Sequence, residues 1–161
     1  MQFWFSYNWM VREQWYEWCG ELSQEELLQE RTGGVGGILK TLFHIVDVEW
    51  SWLQLLQGKP DFQENFEEYA TLAKVRELDR RFRADIEGFI RGWDDSMEQR
   101  PLLDTLPDGR ERLLAWGEVM RHVLAHEIHH IGQLSVWSRE LGRKPVSANF
   151  IEKGLIAPAA P

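Results

Sequence analysis

The sequence predicts an all-α protein, a four-helix bundle with one long crossover connection. Four long stretches repeat apolar side chains at every third or fourth position, and almost no stretch alternates as a strand does. The chain has 161 residues, 43% of them hydrophobic, which is enough to bury one sizeable core. Amphipathic helices bury their apolar faces by packing against one another. We therefore expect one domain over residues 1–161, with a partly extended tail over residues 144–161.

The helices can be placed in chain order from their apolar periodicity and their start and stop signals. We expect the four long helices at residues 3–22, 37–57, 68–97 and 111–141. Ser23 followed by Glu26 is a capping-box pattern, which predicts a short helix after the first long one. Gly58 and Gly142 end the second and fourth long helices. Before the fourth helix, Asp108 and Gly109 indicate a short hairpin-like turn.

A run of glycines precedes the second long helix, in the segment TGGVGG at residues 32–37. Glycine-rich segments of this kind can bind phosphate groups. The Lys and Ser/Thr of a phosphate-binding loop are missing here, however, and no strand comes before the run. We interpret the segment as a loop that leads into the helix.

Composition and charge exclude several classes of protein. Cys19 is the single cysteine, so neither an internal disulfide nor a zinc–thiolate site can form, and we expect a plain core thiol. The net charge of −8 argues against nucleic acid as a partner, and we interpret the basic segment 76–83 as a solvated helix face. No apolar run approaches the roughly 20 residues of a membrane span, and the start has no basic leader. A cytoplasmic protein without membrane contact is expected.

Four of the five histidines lie within nine positions of the fourth long helix. Each residue of a helix advances about 100°, which puts His126 and His130 in the apolar series of this helix and His122 and His129 toward one edge. Buried imidazoles are costly unless their nitrogens have partners. A pair of hydrogen-bonded core histidines would meet that need, but two imidazoles in register on an apolar stripe favour a shared metal ion.

His44 supplies a third imidazole from the inward-facing series of the second long helix. Three histidine ligands leave open positions for water or substrate, as in catalytic sites. A divalent metal, Zn²⁺ or Ni²⁺, held by His44, His126 and His130 is therefore expected, and imidazole ligands do not select between the two. Asp47 is the candidate catalytic residue, either through a bound water or by orienting a ligand, and the alternative is an exposed helix residue. His122 and His129 are expected beside the ligands or at the pocket rim.

Residues 126–130 (HEIHH) also match the HExxH motif of zinc proteases, with His126 and His130 as ligands and Glu127 as general base. Such a protease needs a sheet edge to hold its peptide substrate and a third ligand downstream. Strands are nearly absent from the sequence pattern, and Glu152 is the one plausible downstream ligand. This alternative is therefore disfavoured.

Three segments carry a resemblance that covers the whole chain: residues 7–9 (YNW), 42–45 (LFHI) and 126–133 (HEIHHIGQ). The chain resembles the DinB-like (YfiT-like) superfamily of metal-binding helical bundles, whose signature is Asn-His-x-x-His-His-Arg-Gly-Gln. Ala125 and Ile131 depart from that signature, and the three ligand positions are intact. The resemblance implies an up-down-down-up bundle in which His44, His126 and His130 bind zinc or nickel.

The resemblance also implies a function and an assembly. Some members of the superfamily are metal-dependent S-transferases or isomerases that use a low-molecular-weight thiol such as bacillithiol, mycothiol or glutathione. A metal-dependent hydrolase and a non-catalytic metal-binding stress-response protein remain alternatives, because nothing in the sequence fixes a substrate. Homodimers are frequent in the superfamily, and the first helix carries aromatic residues on all sides, which is typical of a partner surface. The same aromatics would also suit a helix enclosed by its own bundle or the lining of a pocket.

Overall fold

The structure, a computed structural model, describes residues 1–61, 65–151 and 153–156. It is mainly helical, which confirms the predicted fold class. The helices are α1 (Gln2–Cys19), α2 (Gln24–Leu28), α3 (Ile38–Leu56), α4 (Leu72–Arg91) and α5 (Trp116–Glu140). Two short strands, β1 (Pro101–Thr105) and β2 (Glu111–Ala115), form an antiparallel hairpin between α4 and α5. Among the described residues, no helix has the length and apolar character needed to cross a membrane.

Local capping decides where the helices begin. The predicted capping box before α2 is present, with the side chain of Ser23 accepting from the backbone N–H of Glu26 and the Glu26 carboxylate accepting from that of Ser23. The predicted third helix is shorter than expected. Thr71 caps α4 by accepting from the backbone N–H of Lys74, and the residues before it form a separate 3-10 turn, Phe66–Tyr69. A second 3-10 turn, Asp95–Met97, follows α4.

The fourth long helix begins five residues later than predicted, at Trp116 instead of Glu111. Residues 111–115 pair with residues 101–105 as strand β2. The cross-strand ion pair between Arg112 and Asp104, at 2.6 Å, supports this pairing. Tertiary pairing thus prevails over the helical periodicity of the segment, and the expected hairpin-like turn becomes a two-stranded hairpin.

Contacts between the helices give the direction of each. Asn8 of α1 bonds to Leu124 of α5, and Arg12, one turn further along α1, bonds to Glu127. Residue numbers therefore rise in the same direction along both helices, which are parallel. Helix α4 runs against α1, because Gln2 bonds to Arg91 whereas Arg76 lies over Tyr16.

Helix α3 completes the arrangement. It runs against α5, because His44 lies beside His126 and Trp52 lies beside His122. Helices α3 and α4 are therefore parallel, which confirms the up-down-down-up topology. Parallel neighbours require the long crossover between them, and α3 packs against both α4 and α5 at the centre of the bundle.

The aromatic residues of α1 are mostly used inside the chain. Phe5, Tyr7, Trp15 and Tyr16 are buried in the core. Phe3 and Trp4 are more exposed, and Trp4 packs on Phe150 of the C-terminal segment with ring centroids 4.8 Å apart. The enclosed-helix interpretation therefore accounts for most of the aromatic surplus of α1.

Candidate metal centre

Three histidine side chains from two helices converge inside the bundle. The Nε2 atom of His126 lies 3.0 Å from Nε2 of His44 and 3.1 Å from Nε2 of His130. Helix α5 supplies two of the rings because residues four positions apart share one face, and the antiparallel α3 brings the third ring opposite them. His130 is buried, whereas His44 and His126 are partly exposed, so the cluster lies at the edge of the core.

The spacing of these nitrogens suits one shared metal ion. Two nitrogens bonded to one zinc ion at about 2.0–2.1 Å lie roughly 2.8–3.4 Å apart for bond angles between 90° and 110°. Both measured separations fall in that range. The donor atoms of all three histidines lie within 4.8 Å of one another, and among the described residues no carboxylate or thiolate joins the group. The cluster can therefore hold a metal ion with three nitrogen ligands and leave further positions open.

Hydrogen bonds outside the cluster orient its ligand atoms. Nδ1 of His130 lies 2.8 Å from Oε1 of Gln133, and Nε2 of the same amide lies 3.0 Å from Nε2 of His129. An amide oxygen only accepts, so Nδ1 of His130 carries the proton and its Nε2 presents a lone pair to the cluster. His129 thus acts on the cluster through Gln133 without belonging to it.

The glycine-rich loop lies directly against this amide. Gly34 has φ +55°, and a Cβ atom added at this position would overlap Oε1 of Gln133. The loop also contacts α5 through a hydrogen bond of 3.2 Å, which Trp137 Nε1 donates to the carbonyl oxygen of Thr32. The loop prediction for residues 32–37 is correct, and the structure adds its role as the wall that positions Gln133.

The imidazoles of the cluster are neutral well below neutral pH. Burial, together with the proximity of the other rings, lowers the pKa of His44 to about 4 and that of His126 to about 3. Burial also lowers the pKa of His130, and its hydrogen bond to Gln133 partly opposes that effect. Neutral imidazole is the form that binds a metal, so protons compete weakly for these nitrogens at physiological pH.

Beside the histidine cluster lies a second buried polar group, the charge cluster of Arg12, Glu49, Asp79 and Glu127, one residue from each long helix. The guanidinium of Arg12 donates to both carboxylate oxygens of Glu127, at 2.9 and 2.5 Å. It also reaches Glu49 at 3.1 Å and Asp79 at 2.9 Å. All four side chains are almost fully buried.

Sequence reasoning missed the charge cluster. Arg12 interrupts the aromatic sequence of the first helix, yet it is only 1% exposed. A signal was available, because Arg12, Glu49 and Glu127 each stand at apolar-face positions of their helices. The finding also bears on the HExxH alternative: both oxygens of Glu127 are engaged by Arg12, which leaves this carboxylate unsuited to act as a general base at the histidines. Glu152, the downstream ligand of that alternative, lies outside the described residues.

Asp47 and His122 lie beside the histidine cluster and outside it. Asp47 is partly buried on α3 and lines a cavity with Trp52 and Arg112, and its carboxylate is not part of the ligand group. His122 is exposed on α5, and its ring lies 5.9 Å from that of His126 and 5.7 Å from that of Trp52, centroid to centroid. His122 therefore lies on the exposed side of the histidine cluster.

The fold and the site together define a class of protein, helical bundles that can hold a metal ion between histidines of two facing helices. Within that class the chain belongs to the DinB family, whose sequence pattern matches residues 2–156. It is 49% identical over 151 residues to a protein of Bacillus subtilis (strain 168) described as uncharacterized protein YizA, with 94% of each chain covered. A DinB-like protein from Bacillus cereus ATCC 10987 has a similar crystal structure, with a TM-score of 0.59 and 20% identity over 88% of this chain and 90% of that one. This last likeness shows the shared fold.

Proposed function

We propose that this protein is a metal-dependent S-transferase that joins the sulfur of a low-molecular-weight thiol, of the bacillithiol type, to a small electrophile. In this proposal a divalent ion, Zn²⁺ or Ni²⁺, is bound by His44, His126 and His130. The observation that carries the proposal is the convergence of three neutral imidazoles, with Nε2 separations of 3.0 and 3.1 Å, at the edge of the core. An open three-histidine site leaves room for a substrate to reach the ion.

The thiol in this proposal comes from outside the chain. Cys19 is the single cysteine, and it is fully buried in α1. Burial raises the pKa of its thiol to about 12, so almost none of it is thiolate at neutral pH. A reaction that needs a sulfur nucleophile therefore needs a separate thiol substrate.

The transfer forms one bond and breaks another. The sulfur of the thiol bonds to the electrophilic carbon, the bond from that carbon to the leaving group breaks, and the leaving group takes the bonding electron pair. The proton of the thiol passes to solvent or to the leaving group. A divalent metal lowers the pKa of a thiol that it binds, so the nucleophile is available near neutral pH without a separate base. The residues of this chain hold the imidazoles neutral and in place, with Gln133 orienting His130.

A hydrolase is the main competing proposal, and the surroundings of the histidines favour it less. Hydrolysis needs a base to take a proton from water. Glu127 is held by Arg12, so it is not placed as that base, and Asp47, one turn after His44 on α3, is the remaining candidate. A non-catalytic metal-binding role makes no demand on a base, and it is decided by the same experiment.

The test measures thiol consumption by protein purified without a nickel column and then loaded with Zn²⁺ or Ni²⁺. Bacillithiol or glutathione is supplied with a panel of electrophiles such as 1-chloro-2,4-dinitrobenzene. We expect turnover that is lost on chelation and in His44→Ala, and that is retained in the control variant Arg139→Ala, at the exposed end of α5. Turnover of ester substrates without thiol would support the hydrolase. No turnover, with no thiol-dependent change in the absorption of Co²⁺-loaded protein, would establish the non-catalytic role.

We also propose a homodimer, through the exposed residues near the start of α1. Phe3 and Trp4 are 55% and 44% exposed, which is high for side chains of their size. Sedimentation at micromolar concentration tests the proposal directly. A wild-type dimer that becomes a monomer in Trp4→Glu supports it, and a wild-type monomer removes it.

A further inference from the structure

A small cavity lies beside the histidine cluster, between α3, strand β2 and the first half of α5. Its volume is about 240 Å³, and it is lined by Trp52, Arg112, Leu114, Glu118, Val119 and His122. The ring of His122 contacts the ring of Trp52 on one side and that of His126 on the other. The cavity is therefore next to the cluster, separated from it by the ring of His122.

Arg112 is the polar residue of this cavity with unused hydrogen-bond donors. Its Nε donates to Asp104 at 2.6 Å, and its guanidinium lies over the ring of Trp52, 5.5 Å from the centroid. Neither Nη nitrogen has a hydrogen-bond partner in the part of the chain that the structure describes. The side chain of Arg112 is 44% exposed, so its four remaining N–H groups are accessible at the open side of the cavity.

Two carboxylates near Arg112, those of Asp104 and Glu118, each accept a hydrogen bond and keep their negative charge. Asp104 accepts from Arg112, and Glu118 uses Oε2 to accept from the backbone N–H of Ala115 at 2.8 Å. Asp47 and Asp61 line the adjoining cavity, on the far side of Trp52 and Arg112. A monoanion fits the unused donors, while these carboxylates disfavour a ligand that extends further with more negative charge.

We propose that this cavity binds a small monocarboxylate with a planar apolar body. The carboxylate accepts from the two Nη groups of Arg112, in the paired geometry that guanidinium and carboxylate share. The planar body packs between the indole of Trp52 and the apolar side chains of Leu114 and Val119, with one edge toward His122. The inference rests on the proposed function, in which such a carboxylate is the electrophilic second substrate of the metal centre.

The test uses benzoate as the probe and benzamide as its neutral match, without thiol and without turnover. Binding is followed through the indole N–H resonance of Trp52 in ¹H–¹⁵N spectra, assigned with Trp52→Phe. We expect a saturable shift with benzoate and binding of benzamide at least about tenfold weaker, since a hydrogen bond between charged groups is lost. Arg112→Gln should reduce benzoate binding to the level of benzamide. The matched variant Arg110→Gln, in the same hairpin with its guanidinium on Asp108, should bind benzoate as the wild type does.

The position of the probe relative to the histidines is tested separately, with Co²⁺-loaded protein. We expect Co²⁺ to speed the relaxation of the benzoate ring protons, and chelation or Arg112→Gln to remove this effect. The inference is overturned if benzoate causes no saturable shift of Trp52, if benzamide binds equally well, or if Arg110→Gln weakens binding as much as Arg112→Gln. Binding without paramagnetic relaxation would overturn the placement beside the metal. None of these binding measurements requires turnover, so each result can be interpreted even if the transferase proposal fails.

Discussion

Two buried polar clusters lie side by side in this bundle, and they are completed in different ways. In the charge cluster the positive side chain of Arg12 forms ion pairs with three carboxylates, one from each of the other long helices. The histidine cluster brings three like donors, and its Nε2 atoms face one another. Helix α5 supplies both clusters from adjacent positions, Glu127 and His126. The residue types in each cluster therefore decide whether its polar groups pair with one another (a closed cluster) or can bind a ligand (an open cluster).

The charge cluster thus has a structural role in the core, whereas the histidine cluster has the features of a functional site. Buried polar groups are stable when every donor and acceptor has a partner. The carboxylates of the charge cluster accept from Arg12, and two further side chains contribute, Arg83 to Asp79 and Trp9 to Glu49, so protein groups alone complete this cluster. The histidine cluster carries no countercharge of its own, and one cation could bind all three of its imidazoles. This contrast predicts opposite responses of the two clusters to substitution, to metal and to pH.

The largest expected effect is on stability, in Arg12→Met. This substitution leaves Glu49, Asp79 and Glu127 buried without their shared cation, and loss of one partner of a buried ion pair costs about 3–5 kcal/mol. Chemical denaturation of metal-free protein measures the change in the free energy of unfolding. Arg12→Lys keeps one charge and should recover part of the loss.

The matched control for Arg12→Met is Arg91→Met, which breaks an ion pair with Glu87 at the surface of α4. The side chain of Arg91 is 73% exposed, and such pairs contribute about 0–1 kcal/mol. Equal losses in Arg12→Met and Arg91→Met would contradict the view that the charge cluster holds the helices together.

The next effect concerns the histidine cluster and depends on metal. Zn²⁺ or Ni²⁺ should raise the free energy of unfolding of the metal-free protein by about 4 kcal/mol when the free metal exceeds its Kd a thousandfold. His126→Ala should abolish this gain because it removes the central imidazole. His122→Ala should keep the gain, since His122 is exposed and lies outside the ligand group. Unchanged stabilisation in His126→Ala would show that the metal binds elsewhere.

A smaller effect is expected from Gln133→Leu, which removes the partner of His130 Nδ1 while leaving all three imidazoles. Loss of a partner that orients a ligand typically costs 10- to 100-fold in metal affinity, or about 1.4–2.8 kcal/mol. Titration against a competing chelator measures it. Gly34→Ala should also lower the affinity for the metal, because its Cβ atom would displace the Gln133 amide. If Gln133→Leu binds metal as tightly as the wild type, Gln133 does not hold the ligand.

The sequence predicts the histidine cluster better than the charge cluster, and the reason is physical. His126 and His130 stand on one apolar stripe of one helix, and His44 stands in the apolar series of another, so helix geometry alone brings them inward. The partners of Arg12 are spread over three other helices, and their meeting depends on how those helices are aligned in space.

The fold was predictable to the level of topology, whereas local ends were not. The start of α5 was placed too early, since strand pairing of Arg112 with Asp104 prevails over helical periodicity. The role of Gly34 against Gln133 depends on a contact between distant segments, which no pattern in the sequence displays. Contacts of this kind are set by packing and not by periodicity.

The smallest effect, and the sharpest for the comparison, is the pH dependence of the metal-free protein. The pKa of His44 is about 4 and that of His126 about 3 in the folded state, against an ordinary value of 6.5. As pH falls below 6.5, the unfolded chain takes up these protons before the folded one, so the histidine cluster loses stability on acidification. Burial raises the pKa of Glu127 from 4.5 to about 7. Between pH 7 and 4.5 the folded state takes up that proton first, so the charge cluster gains stability over the same window.

The two opposing contributions can be separated by denaturation between pH 7 and 5, in the presence of a chelator. His44→Gln with His126→Gln removes the contribution of these two imidazoles to the loss, so this double variant should become more stable on acidification relative to the wild type. Glu127→Gln keeps a hydrogen bond to Arg12 and removes the gain, so it should become less stable on acidification. The shifts should be modest, because His44 and His126 are partly exposed and water screens their charges. Parallel curves for the wild type and both variants would mean that neither cluster titrates in this window, and the contrast between an open and a closed cluster would then rest on metal binding alone.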